Sequence, residues 1–295
     1  MKPLLIVILG PTASGKSDFA VELAKEINGE IISADSRQVY RGLDIGTGKI
    51  TKREMRGVPH HLLDVADPKK QFTVVDYVNH AKKALEKIKA SGKVPIVVGG
   101  TGFYIEALVD GVVMPEVPPN KKLRKELSKK SPKQLYEMIK KLDPKRAREL
   151  DPSNLRRLIR AIEIARKLGK VPKIKKNPID YDVIFIGLDP DKEELRKNIH
   201  NRLLQRLKNG MIAEAKQLHL RGLSWKRMIE LGLEYKYLTY YLLGKMSKVE
   251  MVEKLSIEIW KYAKRQMTWF KRDPRIIWLT RKSYRQNKQL QSSKG

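Results

Sequence analysis

The sequence predicts an α/β protein with a parallel-sheet core interrupted by an all-helical insertion. Three observations predict it. The apolar run "LLIVILG" leads straight into the glycine-rich stretch "GPTASGKS", residues 10–17. Further apolar, strand-like runs follow, separated by helical periodicity, which is the pattern of a parallel sheet. A stretch from about residue 120 to 170 shows only helical periods and carries no strand candidate. The spacing Gly10, then Gly15-Lys16-Ser17, is a full match to the phosphate-binding loop pattern, so the expected core is P-loop NTPase-like.

Taken in order, Leu4 to Leu9 reads as a buried first strand, and residues 15–28 as the helix after the glycine loop. "EIISADS" is a second short apolar strand ending in Asp35-Ser36. Val74, Val78, Ala81, Leu85 and Ile88 recur at spacings of four and three, an amphipathic helix over 74–91. "VPIVVGGTG" is a third strand, continuously apolar and so buried on both faces. "PEVPPN" then breaks the pattern with three prolines, and strand character returns at Val183 to Leu188. Helices follow to about 272, and "RIIWL" reads as a last strand. The expected organisation is a core, 1–114, a helical insertion, 115–178, a second part of the core, 179–280, and a polar, disordered tail, 281–295. No internal repeat is found.

The chain of 295 residues has no cysteine and five histidines, which excludes disulfides and thiolate metal sites and disfavours zinc. The apolar start is too short to span a bilayer and runs into the glycine loop, so it reads as a strand rather than a leader; a cytoplasmic, monomeric protein with no membrane partner is expected. Residues 1–113 carry a net charge of +3 and residues 114–295 a net of +26, out of +29 overall. That asymmetry points to a polyanion, with nucleic acid ahead of a membrane surface. Heat adaptation of the surface is the plainer alternative.

The loop residues Gly10, Pro11, Thr12, Ala13, Ser14, Gly15, Lys16 and Ser17 suit a diphosphate: amides line a nest, Lys16 adds a point charge, and the Ser17 hydroxyl is placed for Mg²⁺. An ordinary NTPase adds an acid at the end of an apolar strand to help hold the metal, and the third strand here ends without one. Asp35 is the only acid ending an early strand. It reads as a general base or an outer Mg²⁺ partner, with a helix cap or turn residue as the structural alternative.

The blocks "GPTASGKS", "IISADSRQVYRGLDIGTGK", "VPHHLLD", "VVGGTGFYIEAL", "DPSNLRRLIRAIEI" and "YAKRQMTWFKR" follow one another in that order. Together they resemble the tRNA dimethylallyltransferase (tRNA isopentenyltransferase) family, of the bacterial type without a zinc finger, over residues 4 to about 280. The resemblance implies transfer of a dimethylallyl group from dimethylallyl diphosphate to N6 of adenosine 37 of tRNA, with Mg²⁺ as cofactor. It implies that the glycine loop holds the donor's diphosphate. It implies that Asp35, Ser36, Arg37 and Gln38 meet the adenosine, with Asp35 as general base, and that Thr101 lies beside the reacting groups together with Lys16.

It further implies that the segment Arg156, Arg157, Leu158, Ile159, Arg160 meets the tRNA. Here Leu155, Leu158, Ile162 and Ala165 share one helix face and the arginines another. A solvated face is the alternative, as it is for Lys264 and Arg265 on the long helix 249–272. Trp260 and Trp269 are either stacking platforms or core, and His60 and His61 are given no role. Many members carry an arginine upstream of a "GY" segment that reaches the diphosphate; the stretch "SWKRMIELGLEYKYL" departs from that pattern, and Arg227 is the nearest candidate. Three other classes compete: a P-loop small-molecule kinase, a non-catalytic RNA-binding module, and a prenyltransferase acting on free AMP or ATP. The first and last have no need of so basic a remainder, and the second has no need of Lys16, Ser17 and Asp35 in one crevice.

Overall fold

A computed structural model describes residues 2–280; the expected polar tail, 281–295, lies outside the described residues. In chain order the strands are β1 (Leu4–Leu9), β2 (Gly29–Ser33), β3 (His60–His61), β4 (Val94–Gly99), β5 (Val112–Val113), β6 (Lys175–Lys176), β7 (Asp182–Leu188) and β8 (Ile276–Leu279). Six of them form one sheet in the order β3-β2-β4-β1-β7-β8, with every pairing parallel. The two-residue β3 is too short to leave a periodic signal.

The apolar runs are explained by burial on both faces. Leu5, Val7 and Leu9 of β1 enter one core, and Ile6 and Ile8 enter the other, as the two-residue period of a strand requires. The helix Val74–Ala90 covers the first face with Tyr77, Ala81, Leu85 and Ile88. The helix Lys16–Glu26 covers the second with Ala20, Val21 and Ala24. β1 sits between β4 and β7, so the chain reverses its direction of travel across the sheet there. That switch point opens a crevice beyond the carboxyl ends of the strands, the usual ligand position in such sheets. The glycine loop follows β1 at this place. A third core, of helices between Lys192 and Phe270, buries Val39, Tyr40 and Leu43 and so anchors the segment after Asp35.

The chain divides into two units, Met1–Asp110 with the chain from Pro178 onward, and Gly111–Asn177. The second contains the helices Lys121–Leu127, Pro132–Leu142, Pro144–Arg148 and Leu155–Leu168. Leu127, Leu135, Ile139, Leu158 and Ile162 form its core. Besides these helices it has the antiparallel pair β5–β6, which joins Val112 to Lys176. The carboxylate of Glu163, 3% exposed, accepts from Arg124 at 2.7 and 2.8 Å, from the Asn120 N–H at 2.9 Å and from Arg160 at 3.5 Å.

This arrangement corrects part of the expected RNA-contacting segment. Leu158 is 0% exposed and belongs to the core of the unit, and Ile159 packs against that core. Arg156 and Arg157 are exposed, while Arg160 is half-buried against Glu163. The reason is the helical period: a five-residue run must turn one of its apolar members inward. We predict that Leu158→Ala lowers the unfolding free energy of this unit by about 2–5 kcal/mol, measured by denaturant titration with hydrogen exchange on its helices.

Candidate active site

The loop Gly10–Ser17 leaves β1 and ends in Gly15, whose φ of +86° is the left-handed conformation that lets the chain enter the helix at Lys16. The first amides of that helix have no intrahelical acceptor and point along its axis toward an anion. Gln266 fixes the loop: its Oε1 accepts from the Thr12 N–H at 2.8 Å and its Nε2 donates to the Gly100 carbonyl at 2.8 Å. Gln266 is buried on the helix Lys248–Phe270, so this helix ties the glycine loop to the end of β4.

Two adjoining cavities, of about 140 and 470 Å³, meet at Lys16, Ser17, Ile50 and Arg202. The inner one is lined by Thr12 and by the four consecutive residues Asp35, Ser36, Arg37 and Gln38. The outer one is lined by Ala13, Ser14 and Gly15, by residues of the segment 44–51, and by Arg202 and Arg206. Gly10 and Pro11 shape the loop from behind; the Pro11 carbonyl accepts from the Ser14 N–H at 3.3 Å and from Lys16 Nζ at 3.1 Å.

Burial, and then the charge of Arg202, pull the Lys16 ammonium down to about 8, against a smaller upward pull from Asp35. Burial, and then Arg206, lower the Arg202 guanidinium as well. Two donors on the outer wall, Ser14 Oγ and Arg206 Nε, are buried and without a protein partner. Buried donors of this kind call for an acceptor. The cleft therefore suits a polyanion beside Lys16.

In the inner cavity Asp35 Oδ1 accepts from the Arg37 N–H at 2.8 Å and the Gln38 N–H at 3.3 Å. This is the turn role weighed as the alternative for Asp35, and it occupies one oxygen of the carboxylate. The second oxygen takes part in neither bond. Thr101 ties the pieces together: its N–H donates to the Ala34 carbonyl at 3.1 Å and its Oγ1 accepts from the Ser36 N–H at 3.1 Å. Its side chain lies beside the half-buried Tyr262 hydroxyl, which burial and the nearby Asp35 charge keep protonated. His60 lines the same cavity, and burial lowers its imidazole below the usual range, while His61 pairs with Glu30 at 2.6 Å.

One expected site residue is not here. Arg227 donates to the carbonyls of Pro68 and Lys70 at 2.9 and 2.8 Å and to the Tyr40 hydroxyl at 3.1 Å, and it lines neither cavity. Its guanidinium holds the segment after Asp35 to the helix Trp225–Leu231. Arg202 and Arg206, on the helix Lys192–Lys208, stand in the cleft instead. Their spacing of four in "HNRLLQR" is the only sequence sign of them, and in a chain of 62 Lys and Arg it carries little weight. Tyr262 and Gln266 lie in "YAKRQMTWFKR", whose basic residues drew attention away from them. Lys264 and Arg265 are exposed on the same helix; Lys264 and Arg196 both approach the Trp260 ring, and Arg265 lies over Tyr262.

The chain matches the family described as IPP transferase over residues 38–273. It belongs to that family. It is 41% identical to the tRNA dimethylallyltransferase of Anoxybacillus flavithermus over 93% of this chain and 89% of that protein. It is 46% identical to tRNA dimethylallyltransferase 2 of Treponema denticola, covering 90% and 91%. The tRNA isopentenylpyrophosphate transferase of Bacillus halodurans superposes with a TM-score of 0.72 at 38% identity, covering 95% of this chain and 90% of that one. A eukaryotic dimethylallyltransferase acting on tRNA superposes with a TM-score of 0.80 at 29% identity, over 94% and 74%. Membership rests on the match over residues 38–273 and on these identities along most of the chain, and the P-loop-like fold is shared with these structures.

The depressed Lys16 gives a pH test. An anion binds the protonated ammonium more tightly, so the contribution of Lys16 to affinity is full well below about 8 and falls away as pH rises through that value. Calorimetric titration of inorganic diphosphate between pH 7 and 9.5 is expected to show this loss, and Lys16→Gln to remove the inflection.

Proposed function

We propose that this protein transfers the dimethylallyl group of dimethylallyl diphosphate to N6 of adenosine 37 in tRNA and releases diphosphate. The observation that carries the reading is the pairing of two unlike subsites in one crevice. Cationic groups and orphaned donors surround the glycine loop, and a carboxylate, Asp35, stands in the adjoining cavity. The relatives named as tRNA dimethylallyltransferases support the substrates.

The chemistry follows from what each group can do. The exocyclic amine of adenine is a weak nucleophile, because its lone pair is delocalised into the ring. As its nitrogen bonds to the allylic carbon, the carbon–oxygen bond to diphosphate breaks and the amine must lose a proton. The free oxygen of Asp35 takes that proton, and its charge tolerates the cationic character of the carbon. Lys16, Arg202, Arg206 and the loop amides take up the negative charge that develops on the leaving diphosphate. Thr101 and Tyr262 hold the Asp35–Gln38 turn in place.

Mg²⁺ fits this site. No cluster of three or more His, Asp or Glu able to hold a metal exists among the described residues, and Mg²⁺ bound to substrate phosphates needs only one or two protein oxygens. Ser17, at the junction of the two cavities, would supply one of them, and the ion would add charge neutralisation at the diphosphate. Exposed Arg156 and Arg157 on the inserted unit, and Lys264 and Arg265 on the core, are the expected phosphate contacts of the RNA. An adenosine in a loop reaches such a crevice at small cost, since it need not leave a duplex. Among the described residues no helix is long and apolar enough to cross a membrane.

The test is transfer of label from dimethylallyl diphosphate, with Mg²⁺, to unmodified tRNA, AMP or ATP in separate reactions. Label on a single adenosine of tRNA is expected; label on AMP or ATP alone would move the protein to the free-nucleotide class. Asp35→Asn preserves the acceptor for the Arg37 and Gln38 amides and removes the base. It is expected to slow transfer by about 10²–10⁴-fold while tRNA affinity, by filter binding, stays within about threefold; unimpaired transfer would remove Asp35 as the base.

A further inference from the structure

The block "DIGTGK", residues 44–49, has no part in the chemistry above, yet it forms a wall of the outer cavity. Its hydrogen bonds are lopsided. The Glu214 carboxylate accepts from the amides of Asp44, Ile45 and Gly46 at 3.0, 2.6 and 2.9 Å and from the Tyr235 hydroxyl at 2.7 Å. With its amides turned to Glu214, the turn presents carbonyls to the cleft side. The Gly46 carbonyl accepts from Arg206 at 2.7 Å, and the Gly48 carbonyl accepts from Arg202 at 2.9 Å and from Gln38 at 3.3 Å.

The fit is close on both sides. A Cβ at Gly46 would stand 2.7 Å from the Tyr235 ring, and one at Gly48, where φ is +60°, would stand 2.6 Å from the Arg202 guanidinium. The turn is therefore pressed between Tyr235, on the helix Leu233–Leu242, and Arg202. Each arginine spends one N–H edge on a turn carbonyl. Arg206 also contacts Glu234 at 3.0 Å, yet its buried Nε remains without a partner.

From this geometry we propose that Glu214 is a positioning residue for the donor's diphosphate, acting through the 44–49 turn on Arg202 and Arg206. It rests on the diphosphate assignment made above. A carboxylate that gathers three consecutive amides fixes which way the carbonyls face. Those carbonyls help to fix the rotamers of two long side chains, Arg206 being held by Glu234 as well, and ordering them beforehand removes an entropic cost from ligand binding. Glu214 itself lines neither cavity, so its effect travels through the turn.

The test uses inorganic diphosphate as the probe, with full-length protein. Glu214→Gln keeps the shape but sets an NH₂ against backbone N–H groups. It is expected to weaken diphosphate binding about tenfold, the effect of misplacing one charge-assisted contact, while tRNA affinity stays within about twofold. In an Arg206→Ala background the same change is expected to weaken binding by no more than about threefold, because only the route through the Gly48 carbonyl and Arg202 remains. Tyr235→Phe, which removes only the hydroxyl bond, is expected to act in the same direction by about threefold and carries the test should Glu214→Gln fail to fold.

Equal loss of diphosphate and tRNA affinity, a full tenfold loss in the Arg206→Ala background, or unchanged diphosphate binding in Tyr235→Phe would each overturn the proposal. A wild-type protein that binds diphosphate but transfers no prenyl group would refute the function and leave the positioning role standing.

Discussion

Like charge crowded at the carboxyl edge of a parallel sheet is the constraint on which the rest of this structure depends. Lys16 is pulled down to about 8 by its burial and by Arg202, and Arg202 is lowered by burial and by Arg206. Helix-start amides add further positive potential at the same point. Such an arrangement is stable only with counter-charge or a bound anion to offset it. The carboxylates of Asp35 and Glu234 supply part of that, and in the proposed reaction the donor's diphosphate would supply the remainder.

The remaining architecture serves to hold these groups against their mutual repulsion. Gln266 reaches from the last long helix to the glycine loop, Arg227 ties the segment after Asp35 to a neighbouring helix, and Glu214 holds the following turn. The chain from Asp35 to Lys49 thus touches every part of the site. It carries the proposed base at one end and, at the other, the turn whose carbonyls accept from Arg202 and Arg206, with Val39, Tyr40 and Leu43 buried between them. A displacement of this one stretch would disturb donor and acceptor subsites together, which explains why so much hydrogen bonding converges on it.

Much of this was legible in the sequence, and the reason is local. The glycine loop, the apolar strands and the period of the helix Val74–Ala90 each write their physics into neighbouring residues. Asp35 was legible because it ends a strand at the loop's own edge. Arg202 and Arg206 were not, since a basic pair on a helix of a chain this basic says nothing until the fold brings it back to residue 16. Arg227 misled for the same reason: its sequence neighbourhood matched an expectation, but its guanidinium is consumed by two carbonyls and a hydroxyl. Leu158 shows the limit of segment-level likeness, because a run proposed to meet RNA still owes one residue in each turn to its own core.

The central claim is that the loop Gly10–Ser17 belongs to a prenyl diphosphate and not to a nucleoside triphosphate. Competition at equilibrium tests it most directly: labelled dimethylallyl diphosphate bound in the presence of Mg²⁺, challenged with unlabelled donor and, separately, with ATP. The account predicts that unlabelled donor displaces the label while ATP at the same concentration does not and is left unhydrolysed. Displacement by ATP together with its hydrolysis would contradict it and return the loop to an NTPase or kinase role.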